Sequence, residues 1–423
     1  MGTSPAKQTN IADFFVIPPD RVKLFFEEAK MGEDTTWLIT PVGQRADGSW
    51  ITDILAERAK ENGLSWRYAE ANNFSRERME VVRGLTDDDL QRLYYRRGWT
   101  DGLPIILPTR ARVRSFLRHA RQNGDKLIGE AEPLFGQVTI EKAAANAVMA
   151  GCDPVHFPFV ISALEAVLDP SFNLRGVQTT DENVTPLLLV SGPELERLDL
   201  HGGVGAIGPG WRGNMVIGRA LRLSIQNLGG GWPGTTNLAG LGQPGRLWLV
   251  LPENEVNSPW QSLRERLGYS ANETALMVLR AEATVTCTGK LDDLASLMRS
   301  SLSAFSRLHG GICAVAIAPF VAQGLAEEGW TEQDVRQYLW DLSQADPDDY
   351  KRSWVVSDLQ PRSGITEWAS VAIASGKGPP AVETPDHIVL VVAGANAAIP
   401  QHAYFPTWGF PEAKIIKMVQ RID

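Results

Sequence analysis

The chain has 423 residues, 43% of them hydrophobic and 22% charged, and carries a net charge of −9. That length exceeds one ordinary domain and supports a large core without metal or disulfide staples. The composition excludes a disordered chain, the acidic balance disfavours a nucleic-acid partner, and no apolar run approaches the roughly 20 residues that span a bilayer.

Residues 1–10 read as a polar tail without the apolar stretch of a signal peptide. Val22, Phe25, Phe26 and Ala29 have helical spacing within Arg21 to Lys30. A strand at Thr36 to Pro41 and a helix at Ile51 to Asn62 follow. Thr86 precedes three aspartates and predicts a helix start running to about Arg97. The prolines of GWTDGLPIILPT (98–109) forbid a helix there, and Arg110 to Asn123 resumes one. The arginines Arg92, Arg96, Arg97, Arg110, Arg112, Arg114 and Arg118 read as a solvated face balanced by Asp87 to Asp89.

Thr139 caps a helix with an apolar stripe, which Gly151-Cys152-Asp153-Pro154 breaks before a second helix, Phe157 to Leu168. Strands are then expected at Pro186 to Ser191, Arg246 to Leu251, Leu276 to Thr288, Ile312 to Ala318 and His387 to Ala393. Helices are expected at Asn214 to Leu228, Leu291 to Phe305, Phe320 to Gly329 and Thr331 to Leu342, with an irregular tail at the end. Apolar strands alternating with helices predict an α/β fold: a multi-stranded mixed or parallel sheet covered by helices, with a helical N-terminal portion. PLLLVSGPELERL (186–198) echoes ICAVAIAPFVAQGL (312–325), which reads either as two similar α/β halves or as chance similarity between strand-turn-helix units. The expected organisation is a small module at 1–84, a helical portion at 85–185 and halves at 186–275 and 276–423.

Cys152 sits at the turn between two helices, where a helix N-terminus lowers a thiol pKa, and His156 is placed to act as its base. The competing reading is core packing. Cys287 falls at a strand end and Cys313 within a strand. Three cysteines without a CxxC pair fit a reducing cytosol rather than a disulfide framework or a zinc site, so a cytoplasmic location is expected.

The loop Gly202 to Gly213 leads into a helix and reads either as a tight structural turn or as an anion site, with Gly208, Gly210, Trp211, Arg212, Asn214 and His201 binding substrate. Gly203, Gly205 and Gly208 match GxGxxG, but no strand directly precedes them, so a dinucleotide is not indicated and no cofactor is predicted. Lys142, beside Asn146 at i, i+4, serves acid–base chemistry if it points inward, although a plain surface lysine is the commoner case. Glu253 and Glu255 follow a strand end, a place suited to proton transfer. The six histidines show no metal-ligand spacing. Trp99, Trp211, Trp232, Trp260, Trp330 and Trp408 lie near glycine or proline, where loop tryptophans wall a ligand pocket or seal an interface.

RGWTDGLPIILPT (97–109), VTIEKAAANAVMAGCDP (138–154), DPSFNLRGVQTT (169–180), GPGWRGNMVIGRALRL (208–223) and EEGWTEQDVRQYLW (327–340) resemble a poorly characterised bacterial family associated with UGSC-type (seleno)proteins. The resemblance covers residues 85–400 or so. It implies thiol or selenol redox chemistry nearby and a UGSC-like partner. The leading expectation is an enzyme for a small, anionic organic substrate, running carbon–heteroatom (C–S or reductive) chemistry with Cys152 as nucleophile. The alternatives are a cysteine-independent hydrolase or hydro-lyase using Glu253 and Lys142, and a non-catalytic partner subunit of a UGSC-like redox protein. A homodimer is the default for such an enzyme.

Overall fold

The computed structural model describes residues 35–302, 304–309, 311–359, 367–408 and 411–419. The helix expected at Arg21 to Lys30 lies outside them. In chain order come β1 (Thr35–Ile39), α1 (Ile51–Glu61), β2 (Met79–Arg83), α2 (Asp87–Arg97), α3 (Arg110–Ala120), β3 (Leu127–Ala131), β4 (Gly136–Thr139), α4 (Ile140–Ala150) and α5 (Phe157–Val167). Then follow β5 (Thr185–Ser191), α6 (Arg212–Gly229), β6 (Val250–Pro252), β7 (Thr274–Ala281), β8 (Val285–Thr288), α7 (Leu291–Ser300), β9 (Cys313–Ile317), α8 (Pro319–Glu327), α9 (Glu332–Leu342), β10 (Ile388–Val392), β11 (Gln401–Pro406) and β12 (Ile415–Val419). The fold is α/β with mixed sheets.

The local signals act where they were read. Thr86 caps α2, accepting from the Asp89 N–H while the Asp89 carboxylate accepts from Thr86. Thr139 accepts from the Lys142 N–H and starts α4. The arginine face is only partly solvated. Arg92 stands in solvent beside Asp89, but Arg97 is buried against Glu80 and over the Trp99 ring, and Arg110 is buried too.

Two four-stranded sheets form the centre, ordered β12-β7-β5-β6 and β10-β9-β11-β8. Their strand senses match: β5 runs parallel to β6 and antiparallel to β7, and β9 runs parallel to β10 and antiparallel to β11. The echo between 186–198 and 312–325 therefore falls on the corresponding strands β5 and β9. Alternation explains their apolar character. Leu187 and Leu189 join a core shared with Ala314, Ala316, Val389, Val391 and Phe405 of the other sheet, while Leu188 and Val190 face the helices. Helices α4, α5 and α6 cover the first sheet; α7 and α9 cover the second. The layers are thus helix, sheet, sheet, helix.

The outermost strands are exchanged. β8 follows β7 but pairs with β11 in the second sheet, and β12 follows β11 but pairs with β7 in the first. The two connections cross at an antiparallel bridge, Ala281 to Thr407, flanked by Glu282 N–H to Pro406 O (2.8 Å) and Trp408 N–H to Arg280 O (2.8 Å). The sheets accordingly do not divide at 275/276: β7 and β12 belong with β5 and β6. The single strand expected over Leu276 to Thr288 is two strands in two sheets, and the tail expected to be irregular holds β11 and β12.

Candidate functional site

At the α4–α5 corner, Cys152 is buried and its thiol donates to the Val216 carbonyl at 3.4 Å. Burial, reinforced by Asp153, pushes its pKa up, not down. His156 spends its Nδ1 accepting from the Asp153 N–H at 2.9 Å, and burial lowers its pKa. Neither the activated thiol nor its base is present, because the corner is packed under α6 rather than open. Iodoacetamide is expected to label half-buried Cys287 in native protein and to reach Cys152 and buried Cys313 only on unfolding. Site-resolved mass spectrometry checks this, and fast Cys152 labelling near neutral pH would overturn it.

The glycine-rich loop is also already satisfied. The first amides of α6, Arg212 N–H and Gly213 N–H, donate to the Asp199 side chain (3.2 Å) and carbonyl (3.1 Å). Arg212 pairs with Asp153 at 2.9 Å and donates to Gly151 O at 2.9 Å, so its guanidinium is occupied. Asn214 pins the loop, accepting from the His201 N–H (2.9 Å) and donating to His201 O (3.0 Å) and Ala206 O (2.7 Å). A side chain at Gly213 would meet Leu198 O at 2.1 Å, so this glycine is required by close packing. Gly208 and Gly210 shape the turn. The expected anion clamp is therefore filled by the chain's own carboxylates. Trp211 donates to Val204 O at 2.7 Å and stacks on the His201 ring at 3.8 Å, leaving that imidazole at the rim.

Lys142 points inward, against the commoner surface case. Its ammonium donates to Val42 O at 2.7 Å and lies 5.1 Å from the Trp50 ring centroid, and burial pushes its pKa down to about 8. Asn146, one turn on, donates to Pro41 O at 2.9 Å and accepts from Asn227 at 2.7 Å. Glu253 is buried at the end of β6. It accepts from the Leu263 N–H at 2.7 Å and lies 4.0 Å from Arg266, and burial raises its pKa to about 7. Glu255 is held by Ser191 (2.7 Å) and Arg264 (3.0 Å). Lys142 and Glu253 do not meet. Lys142 lies by the C-terminal end of α6 and Glu253 by its N-terminal side, and that helix of 18 residues is about 27 Å long.

What the sequence did not show is a seam where the carboxyl ends of β5, β6, β9 and β10 converge. The edges of the sheets meet there through Asn254 N–H to Val392 O (2.8 Å) and Gly394 N–H to Gly202 O (2.7 Å). An amide chain lines the seam. Asn254 donates to Gly394 O (3.1 Å), Asn257 to the Asn254 side chain (3.0 Å), Gln323 to Asn257 O (3.0 Å) and Asn396 to the Gln323 side chain (3.2 Å). His201 is one residue from this seam, and Val204, Val256 and Ile399 stand exposed around it. The only sequence signal was asparagine after two apolar strands. The six loop tryptophans are dispersed instead of walling a pocket: Trp99 and Trp232 are buried, Trp260 donates to Trp330 O at 3.0 Å, and Trp408 lies over Arg280.

Among the described residues no group of three or more His, Cys, Asp or Glu could hold a metal ion, and no helix is long and apolar enough to cross a membrane. Comparison with protein-family models and with curated proteins gives no match.

Proposed function

We propose that the chain is an enzyme for a small polar organic substrate that works without its cysteines. Substrate binds on the seam at the carboxyl ends of β5, β6, β9 and β10. The observation that carries this reading is the amide chain Asn254–Asn257–Gln323–Asn396 at the seam, the place where open α/β sheets bind ligands. Amides offer both donors and acceptors, which suits carboxylates, amides and hydroxylated carbons. His201, held flat on Trp211, is the side chain placed to move a proton. This keeps the hydrolase or hydro-lyase class and replaces Glu253 and Lys142 with rim groups.

The test is thermal unfolding against a panel of small carboxylates, amides and polyols. A ligand at 100 times its Kd stabilises by about 2.7 kcal/mol. The shift should vanish in Asn254→Ala/Asn396→Ala and persist in Cys152→Ser. A shift that survives the double variant, or is lost with Cys152→Ser, places the site elsewhere.

A second reading, service to a UGSC-like thiol or selenol partner, is favoured by one observation. Leu103 and Pro104 of the resembling block line an open groove of ≈ 990 Å3 whose other walls include Leu85 and Tyr95 and the charged side chains of Asp88 and Arg92. A stable complex with activity only on mixing supports that reading.

A further inference from the structure

Between β5, α6 and the turn at 244–249 lies a small cavity lined by Thr185, Arg222, Gly245, Arg246 and the apolar side chains of Leu188, Leu221 and Ile225, among others. Its volume is ≈ 10 Å3, the room of about one water-sized sphere. Arg222 is only 5% exposed. Its Nε donates to Arg246 O at 2.7 Å and its Nη2 to Thr185 Oγ1 at 2.9 Å, while Arg246 donates to the Asn237 side chain at 2.9 Å. These partners are all neutral. No carboxylate among the described residues lies within ion-pair distance of either guanidinium.

These hydrogen bonds occupy only some of the guanidinium N–H groups and leave the charge. An uncompensated buried cation costs several kcal/mol, and arginine escapes that cost poorly because it holds its proton so strongly. Burial and the neighbouring Arg246 charge push Arg222 down to about 9, which reflects the same imbalance. Arg219 meets a carboxylate, Asp101 at 2.7 Å, and fully buried Arg307 is ringed by the carbonyls of Ser343, Pro379 and Met298. Arg222 and Arg246 instead face a hole. A water there would be neutral, and a carboxylate or phosphate is too large.

We infer that Arg222 and Arg246 hold a monoatomic anion, chloride at ordinary salt, in this cavity between the first sheet and α6. The site is separate from the seam of the proposed function. The ion neutralises the pair and fastens the middle of α6 to β5 and to the turn before β6.

The experiment is thermal unfolding of the full chain in chloride, bromide or gluconate at constant ionic strength. The halides should raise the midpoint by a saturating amount and gluconate should not. Arg222→Met and Arg246→Met should each abolish that difference. A midpoint indifferent to halide, as for a cavity holding water only, overturns the inference, and so does halide dependence that survives in a folded variant. Should neither variant fold, chloride-35 NMR on the unaltered chain decides. Line broadening reversed by bromide supports the site, and its absence refutes it.

Discussion

Replacing Asp101 with alanine is expected to lower the unfolding free energy by about 3–5 kcal/mol, the cost of leaving a buried charge unpaired. The Asp101 side chain is 3% exposed and accepts two hydrogen bonds from Arg219, at 2.7 and 2.8 Å. Arg219 also donates to Pro104 O at 2.9 Å, so one guanidinium ties the 98–109 segment to the middle of α6. Without the carboxylate, a mostly buried cation keeps only a carbonyl. The double variant Asp101→Ala/Arg219→Met should recover part of the loss, because it removes both desolvated charges. Urea unfolding of the three variants measures this. A loss below about 1 kcal/mol for Asp101→Ala would show that the pair behaves as a solvent-screened surface contact.

The second large effect is a pH dependence at Glu253. Its folded pKa, about 7, is raised by burial above the unfolded value of about 4.3. Between those values the folded state keeps a proton that the unfolded chain has released. The unfolded state thus binds fewer protons, and stability falls as pH rises through the window. The contribution is complete below the unfolded pKa and is lost by the time pH passes about 7. Glu253→Gln retains an acceptor for the Leu263 N–H but cannot ionise. Relative to the unaltered chain, the variant should gain up to about 3 kcal/mol between pH 5 and pH 8. Urea midpoints at the two pH values test it, and a constant difference would place the titration on another group.

The α/β class was legible because the strands are buried on both sides, and PLLLVS (186–191) is unbroken for that reason. The division at Ala281 was not legible. TALMVLRAEATVTCT (274–288) is apolar and β-prone throughout, and only tertiary pairing sends its second part to the other sheet. β11 was hidden by its own alternation, since Ala403 and Phe405 face one core while Tyr404 faces the other.

The candidate site was less legible, for physical reasons that spacing does not carry. The Cys152 environment depends on α6 packing over it from 64 residues away in sequence. The inward turn of Lys142 depends on Val42, 100 residues before it. The acceptors that fill the glycine loop's donors, Asp199 and Asp153, were visible as residues but not as neighbours.

The exchange of β8 and β12 bears on the order in which the chain can fold. β7 gains its outer neighbour only when residues 415–419 are available, well over a hundred positions after residues 274–278, with which they pair. Contacts so distant in sequence are slow to form, and until they do β7 presents an open edge that other chains can capture. During synthesis the first sheet therefore stays an exposed template while the whole of the second is made. The protein's exposure to aggregation is greatest in that interval, and chaperone demand should follow the emergence of the last strand rather than of either half.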